Sequence, residues 1–116
     1  MILEVGNKLL LVHRRLFKED LVRFFVGTVD YYQAGITKIT GYSFARNPVT
    51  GEVRRKDDAR TKLVALTSGT FLAYQLPTEL QVDKVQFHLE SDERLIIRES
   101  EWEMDLSEAW ALFTDR

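Results

Sequence analysis

Leu21-Val22-Arg23-Phe24-Phe25-Val26-Gly27-Thr28-Val29-Asp30-Tyr31-Tyr32 decides the fold. Val22, Phe24, Phe25, Val26, Thr28, Val29, Tyr31 and Tyr32 are all β-branched or aromatic. Such side chains lose rotamer freedom against a helical turn and pack well on a pleated, half-buried surface. The stretch therefore predicts a strand. It also settles residues 8–18, Lys-Leu-Leu-Leu-Val-His-Arg-Arg-Leu-Phe-Lys, whose apolar content suits helix and strand equally. Glu19-Asp20 is a short polar break, and two such runs joined by a short polar link make a hairpin.

The same rhythm continues downstream. Gly35 marks a turn, and 36–44 is a third strand carrying Ile36, Thr37, Ile39, Thr40, Tyr42 and Phe44. Gly27 and Gly41 interrupt strands, where glycine marks a bulge or a sharp bend. Asn47-Pro48-Val49-Thr50-Gly51 is a turn, followed by Arg54-Arg55-Lys56-Asp57-Asp58-Ala59-Arg60, a solvated loop or projecting arm. Residues 62–67 form a fourth strand, Ser68-Gly69 a tight turn, and 70–76 a fifth strand ended by Pro77. The expected fold class is mainly β: a small, strongly bent five-stranded barrel over residues 1–76, since closure removes vulnerable sheet edges. Residues 77–116 are expected to be an extension packed on the barrel or on a neighbouring subunit. It holds a short helical turn in 78–84, a β-hairpin from 85–89 and 95–97, and a short C-terminal α-helix. Asp105 or Ser107 caps that helix, and Leu106, Trp110 and Phe113 form its apolar stripe.

Composition narrows the function classes. The 116 residues are 45% hydrophobic and 29% charged, which is globular and not disordered. No cysteine is present, which excludes a disulfide framework, a thiol nucleophile and a cysteine-bound metal. No apolar run approaches the ~20 residues of a membrane-spanning helix. The start, Met1-Ile2-Leu3-Glu4, lacks a secretory pattern. The expectation is an intracellular, cytoplasmic protein with no membrane partner. The formal net charge of −2 hides an asymmetry. Residues 1–76 carry 12 Lys/Arg against 7 Asp/Glu, and residues 77–116 carry 4 against 11. Either the two halves form an ordinary mixed surface, or a polyanion-binding front carries an internal competitor.

Catalytic constellations are scarce. His13 and His88 stand 75 positions apart with no second ligand at metal-binding spacing. Ser68-Gly69 lacks the flanking glycine pattern of a nucleophile elbow and reads as a β-turn. Gly27-Thr28 and Gly35-Ile36 make no phosphate loop. Asp57/Asp58 and Asp92/Glu93 fall in exposed turns, and Glu99, Glu101 and Glu103 alternate as a water-facing edge of an extended segment. The chain is expected not to be an enzyme and to need no cofactor or metal.

Binding signals are better. Tyr31 and Tyr32 beside Gln33 lie near a strand end, where an exposed ring stacks on a base; consecutive strand residues face opposite ways, so at most one of the pair is free. Arg14, Arg15, Arg54, Arg55 and Lys56 are a candidate phosphate-contacting patch, partly cancelled by Asp57 and Asp58.

The strand rhythm, with one long polar excursion between strands three and four, resembles the Sm-like (Hfq/LSm) family. Phe25-Val26-Gly27-Thr28-Val29-Asp30 through Ile36-Thr37-Lys38-Ile39 resembles that family's first signature, and Leu66-Thr67-Ser68-Gly69-Thr70-Phe71-Leu72-Ala73-Tyr74 its second. Gln33-Ala34-Gly35 stands where the family carries an asparagine, and Ser68 where it carries an arginine. The resemblance covers residues 8–76. It implies a homo-oligomeric ring of five to seven subunits in which strand four of one copy pairs with strand five of the next, and single-stranded RNA as partner. The positions it implies for RNA are Asp30, Tyr31, Tyr32, Gln33, Ser68 and Gly69. Those it implies for the subunit interface are Leu63, Ala65, Phe71 and Ala73, joined by the stripe Leu106, Trp110 and Phe113. The competing expectation is a protein-interaction module with an SH3-like barrel and no nucleic acid.

Overall fold

The computed structural model describes residues 3–13, 22–92 and 94–106, and these are mainly β, with no α-helix among them. Nine strands form two antiparallel sheets: β1 (Lys8–His13), β2 (Arg23–Gln33), β3 (Ile36–Arg46), β4 (Val53–Arg55), β5 (Arg60–Ala65), β6 (Phe71–Leu76), β7 (Gln86–Leu89), β8 (Leu95–Glu99) and β9 (Trp102–Asp105). The first sheet runs β4-β3-β2-β1-β6, with β5 also on β3; the second runs β7-β8-β9.

The β2–β3 pair is the spine. Its register places Gly27 opposite Gly41. A Cβ on Gly41 would sit 1.9 Å from the Val26 carbonyl oxygen and 2.5 Å from the Gly27 Cα, so the two backbones touch where side chains would normally hold them apart. The expected bend is thus a glycine-on-glycine contact, which two 11-residue strands need if one end is to fold over the other.

The bend produces two cores. Leu9, Leu11, Phe25, Val29, Ile39 and Val64 cluster on the inner face. Val64 of β5 shares this cluster with Leu9 and Leu11 of β1 although two strands intervene, so the sheet curls over that face. Leu10, Val12, Phe24, Val26 and Phe44 point the other way and pack against Leu80, Val85, Phe87, Leu95, Ile97 and Leu106. Strand β1 is therefore buried on both sides, which is why Leu9-Leu10-Leu11-Val12 shows no alternation.

Several expectations change. The bent sheet is not a closed barrel, because no ladder joins β5 to β6. The stretch expected as a solvated loop or projecting hairpin arm begins as a hairpin strand, with Val53, Arg54 and Arg55 of β4 pairing Arg46, Ala45 and Phe44, and stays exposed through 54–60. The turn before it forms as expected, with the Val49 N–H donating to Asn47 Oδ1 at 2.8 Å and the Gly51 N–H to Asn47 O at 2.8 Å. The helical turn after Pro77 is a 3-10 turn at Val82–Lys84. The hairpin of β7 and β8 gains a third strand, β9, entered through Ser100 at φ 53°. Glu99 is correspondingly not a water-facing residue. It is 9% exposed, and its Oε2 accepts the Gln81 N–H at 3.1 Å. Glu101 lies in the turn, and Glu103 pairs Arg98 across the strands at 2.9 Å. The expected C-terminal helix, with Ser107, Trp110 and Phe113, lies outside the described residues, as do Arg14 and Arg15.

Candidate functional site

The two segments singled out for RNA meet at one end of the bent sheet. Between β2 and β3 the chain turns through Ala34 and Gly35, both at positive φ. Between β5 and β6 it passes a 3-10 turn at Leu66–Ser68, ended by Gly69 at φ 80°. The Leu66 N–H donates to the Gly35 carbonyl at 3.1 Å, and the Thr67 side chain lies against Gly35. The turn that follows residues 30–33 thus meets the 66–69 turn at one rim of the sheet. Ser68 Oγ is 2.7 Å from Thr70 Oγ1 and accepts the Thr70 N–H at 3.3 Å, so its hydroxyl is engaged within the turn.

A bulge sorts the two tyrosines. The register slips between Val29 and Tyr31, which leaves Asp30 as the extra residue. Strict alternation from Val29 would turn Tyr31 inward. The bulge turns Tyr32 inward instead, where it packs on the inner core, and leaves Tyr31 outward and 56% exposed. Tyr31 stands opposite Lys38, and Lys38 opposite Leu63; the next row is Gln33, Ile36 and Ala65. Asp30 accepts a hydrogen bond from the Thr40 hydroxyl, which in turn lies 2.8 Å from that of Thr61. Asp30, Tyr31, Gln33, Leu63 and Ala65 therefore share one exposed outer face, although the sequence reading divided them between two roles.

The remaining interface residues divide. Leu63 is 74% exposed on β5 and Ala73 is exposed on β6, and among the described residues no strand pairs the outer edge of either. Phe71 is turned into the inner core, its ring 5.1 Å from that of His13, edge to face. Leu106 is buried in the outer core, with its N–H donating to Leu95 O at 2.9 Å. These two residues fill the interior of their own chain.

Two members of the basic run have contacts within the chain. Arg54 pairs Glu52 at 3.0 Å. The Arg55 guanidinium lies 4.3 Å from the Tyr42 ring centroid and donates to the Asp83 carbonyl at 2.7 Å, so it ties the first sheet to the segment before β7. Among the described residues, the ion pairs of the acidic half are internal to it. Arg94 pairs Asp92 and Asp105, and Arg98 pairs Glu90 and Glu103, all within the second sheet. The Arg94 guanidinium holds the exposed Asp92 carboxyl below its usual range, chiefly by its side-chain hydrogen bond.

The sequence reading passed over a different set of cations. A cleft of about 750 Å³ opens where the inner face runs out toward the seam between β5 and β6. Each strand continues its inward parity there with a polar or aromatic residue: Leu9 and Leu11 give way to His13, Phe25 to Arg23, and Val64 to Lys62 and Arg60. Lys62 Nζ lies 4.6 Å from the Phe25 ring centroid. Partial burial first, then the like charges of Arg23 and Arg60, hold the Lys62 ammonium below the ordinary lysine range. The available signal was the alternation in Arg60-Thr61-Lys62-Leu63-Val64, which puts the lysine on the cleft side with Val64 and the leucine on the other. Among the described residues no group of three or more His, Asp or Glu is placed to hold a metal ion, and no helix is long and apolar enough to cross a membrane.

Comparison with protein-family models, with curated proteins and with solved structures returned no match for this chain.

Proposed function

We propose that this chain is a non-enzymatic, self-associating β-module that binds single-stranded RNA at the rim formed by residues 30–33 and 66–69. The observation that carries this reading is the outward Tyr31, held on a bulged strand with Lys38 directly opposite and Gln33 two positions on. A ring fixed on a rigid strand stacks on a base with little ordering cost, worth about 1–3 kcal/mol per base, and the lysine supplies a phosphate contact. Self-association is supported by two sheet edges that have no partner among the described residues. Strand β5 presents Leu63 beside its edge and β6 presents Ala73, so pairing β5 of one copy with β6 of the next satisfies both edges and covers Leu63. Repetition by symmetry turns a weak single contact into useful avidity. The resemblance to Sm-like proteins points the same way, with a ring of five to seven subunits.

Two measurements test this. Light scattering on the purified chain is expected to give a closed oligomer, and a monomer at high concentration would remove the ring. Titration with short uridine- or adenosine-rich oligonucleotides at two salt concentrations is expected to show binding that weakens with salt. Tyr31→Ala should weaken it by about tenfold or more while leaving the melting temperature unchanged. Tyr32→Ala should lower the melting temperature instead, because its ring packs on the inner core. The outer face also carries Ile36 and Leu63, two exposed apolar side chains that favour a protein partner. No oligonucleotide binding at low salt would leave that protein-interaction module as the function.

A further inference from the structure

We propose that the cleft between β1, β2, β5 and β6 is a separate small-ligand site for a phosphate monoester carried on a flat apolar body, with Arg23, Arg60 and Lys62 as the anion clamp. Three observations converge. First, two strands that are not neighbours aim cations into one space, Arg23 from β2 and Arg60 and Lys62 from β5. None of the three has an ion-pair partner among the described residues. Holding unpaired like charges together costs free energy that an incoming anion recovers. Second, these positions face inward, where a β-strand over a core normally carries apolar residues. In β5 the apolar Leu63 is outside, and the inversion sends both cations to the cleft. Third, the cleft is not only ionic. Its wall continues the inner core through Leu11 and Phe71, and Phe71 is braced edge to face by His13.

This combination selects the ligand class. A phosphate monoester carries close to two negative charges at neutral pH, the complement of a three-cation clamp. Inorganic phosphate would leave most of a space of about 750 Å³ and its apolar wall unused. A planar aryl or nucleoside body can lie against the apolar wall, and the space is within the usual size range of small-ligand pockets. Asp57 and Asp58 also line the cleft and belong to no ion pair among the described residues; they oppose an anion, and the four cations of the lining, Arg23, Lys56, Arg60 and Lys62, outnumber them.

The site is independent of the RNA rim, and the experiment separates them. Isothermal titration of the whole chain at low salt uses phenyl phosphate, adenosine monophosphate and inorganic phosphate as probes. Saturable binding of at least one organic phosphate is expected, about tenfold or more tighter than inorganic phosphate. Whether the aryl or the nucleoside ester binds more tightly identifies the body. Lys62→Gln and Arg60→Gln should each weaken that binding by about tenfold while leaving the melting temperature unchanged or raising it, since each relieves a like-charge contact. Tyr31→Ala should leave it unaltered. Absence of saturable binding by both organic phosphates overturns the proposal. So does equal affinity for inorganic phosphate, or binding that survives in both cation variants.

Discussion

Replacing Gly41 with alanine removes about 3 kcal/mol or more of stability, enough to abolish cooperative folding in a domain of ordinary margin. The added methyl would have to occupy a point 1.9 Å from the Val26 carbonyl oxygen, 2.5 Å from the Gly27 Cα and 2.8 Å from the Val26 carbonyl carbon. All three are backbone atoms of the neighbouring strand, so no side-chain rotation relieves the clash. The strands must separate, and separating them breaks the β2–β3 ladder at its middle. Loss of that ladder also dismantles the inner core, because Val64 of β5 joins the cluster of Leu9 and Leu11 through the bent β2–β3 pair. Gly27→Ala should cost less. Two of its three close neighbours are the side chains of Ile39 and Phe25, which yield more readily than backbone, although the Thr40 carbonyl at 2.8 Å does not. Gly69→Ala is the control. It has open space around it and suffers only from its φ of 80°, for about 1 kcal/mol. Urea unfolding of the three variants should rank them Gly41, Gly27, Gly69. A Gly41→Ala protein as stable as the parent would mean that the two strands do not cross at this point.

How far the sequence showed all this depends on which force placed each residue. Local chemistry was legible. The β-branched and aromatic run of 22–32, the Asn47 turn and the breaks at Gly35 and Gly69 lie where their backbone preferences put them. The bend was also legible, because a glycine inside a strand is costly unless something needs its missing side chain. Long-range pairing was not. Strand β4 has only three residues, with a sequence of Val53-Arg54-Arg55 that reads as solvated; it is a strand because β3 continues past β5 and offers a free edge. Strand β9 is similar. Trp102-Glu103-Met104-Asp105 alternates, but no glycine or proline marks the turn before it, and Ser100 accepts positive φ in their place. The burial of Glu99 depends on a backbone N–H eighteen residues away, which no local pattern announces.

The candidate sites divide in the same way. That one tyrosine of the pair turns inward follows from the pleat. Which one does so depends on a bulge at Asp30, and nothing in Val29-Asp30-Tyr31 declares it. The arginine-rich run at 54–56 is a candidate patch because its residues are adjacent in sequence. The structure spends Arg54 on Glu52 and Arg55 on the Asp83 carbonyl and the Tyr42 ring. The cations that do converge, Arg23, Arg60 and Lys62, are spread over forty positions, and only the curl of the sheet brings them to one cleft.

Phe87→Ala is expected to cost about 3–5 kcal/mol and to loosen the second sheet from the first. The ring lies at the junction: its centroid is 4.9 Å from that of Phe24 on β2 and 4.7 Å from that of Phe44 on β3. It is the β7 residue that enters the outer core, next to Val85 and opposite Ile97. Truncation leaves a void bounded by two rings that cannot close it, since both are fixed by the β2–β3 ladder. Leu89, two positions on and partly exposed, provides the comparison: Leu89→Ala should cost less than about 1 kcal/mol. The contrast tests more than one side chain. A core that draws Leu10, Val12 and Phe24 from residues 1–76 and Leu80, Leu95 and Ile97 from residues 77–106 cannot melt in halves. Thermal unfolding of the parent should therefore be a single transition, and hydrogen exchange in β7, β8 and β9 should quicken together in Phe87→Ala. A parent that unfolds in two steps, or a Phe87→Ala variant whose β8 amides stay protected, would show that the second sheet stands without the first.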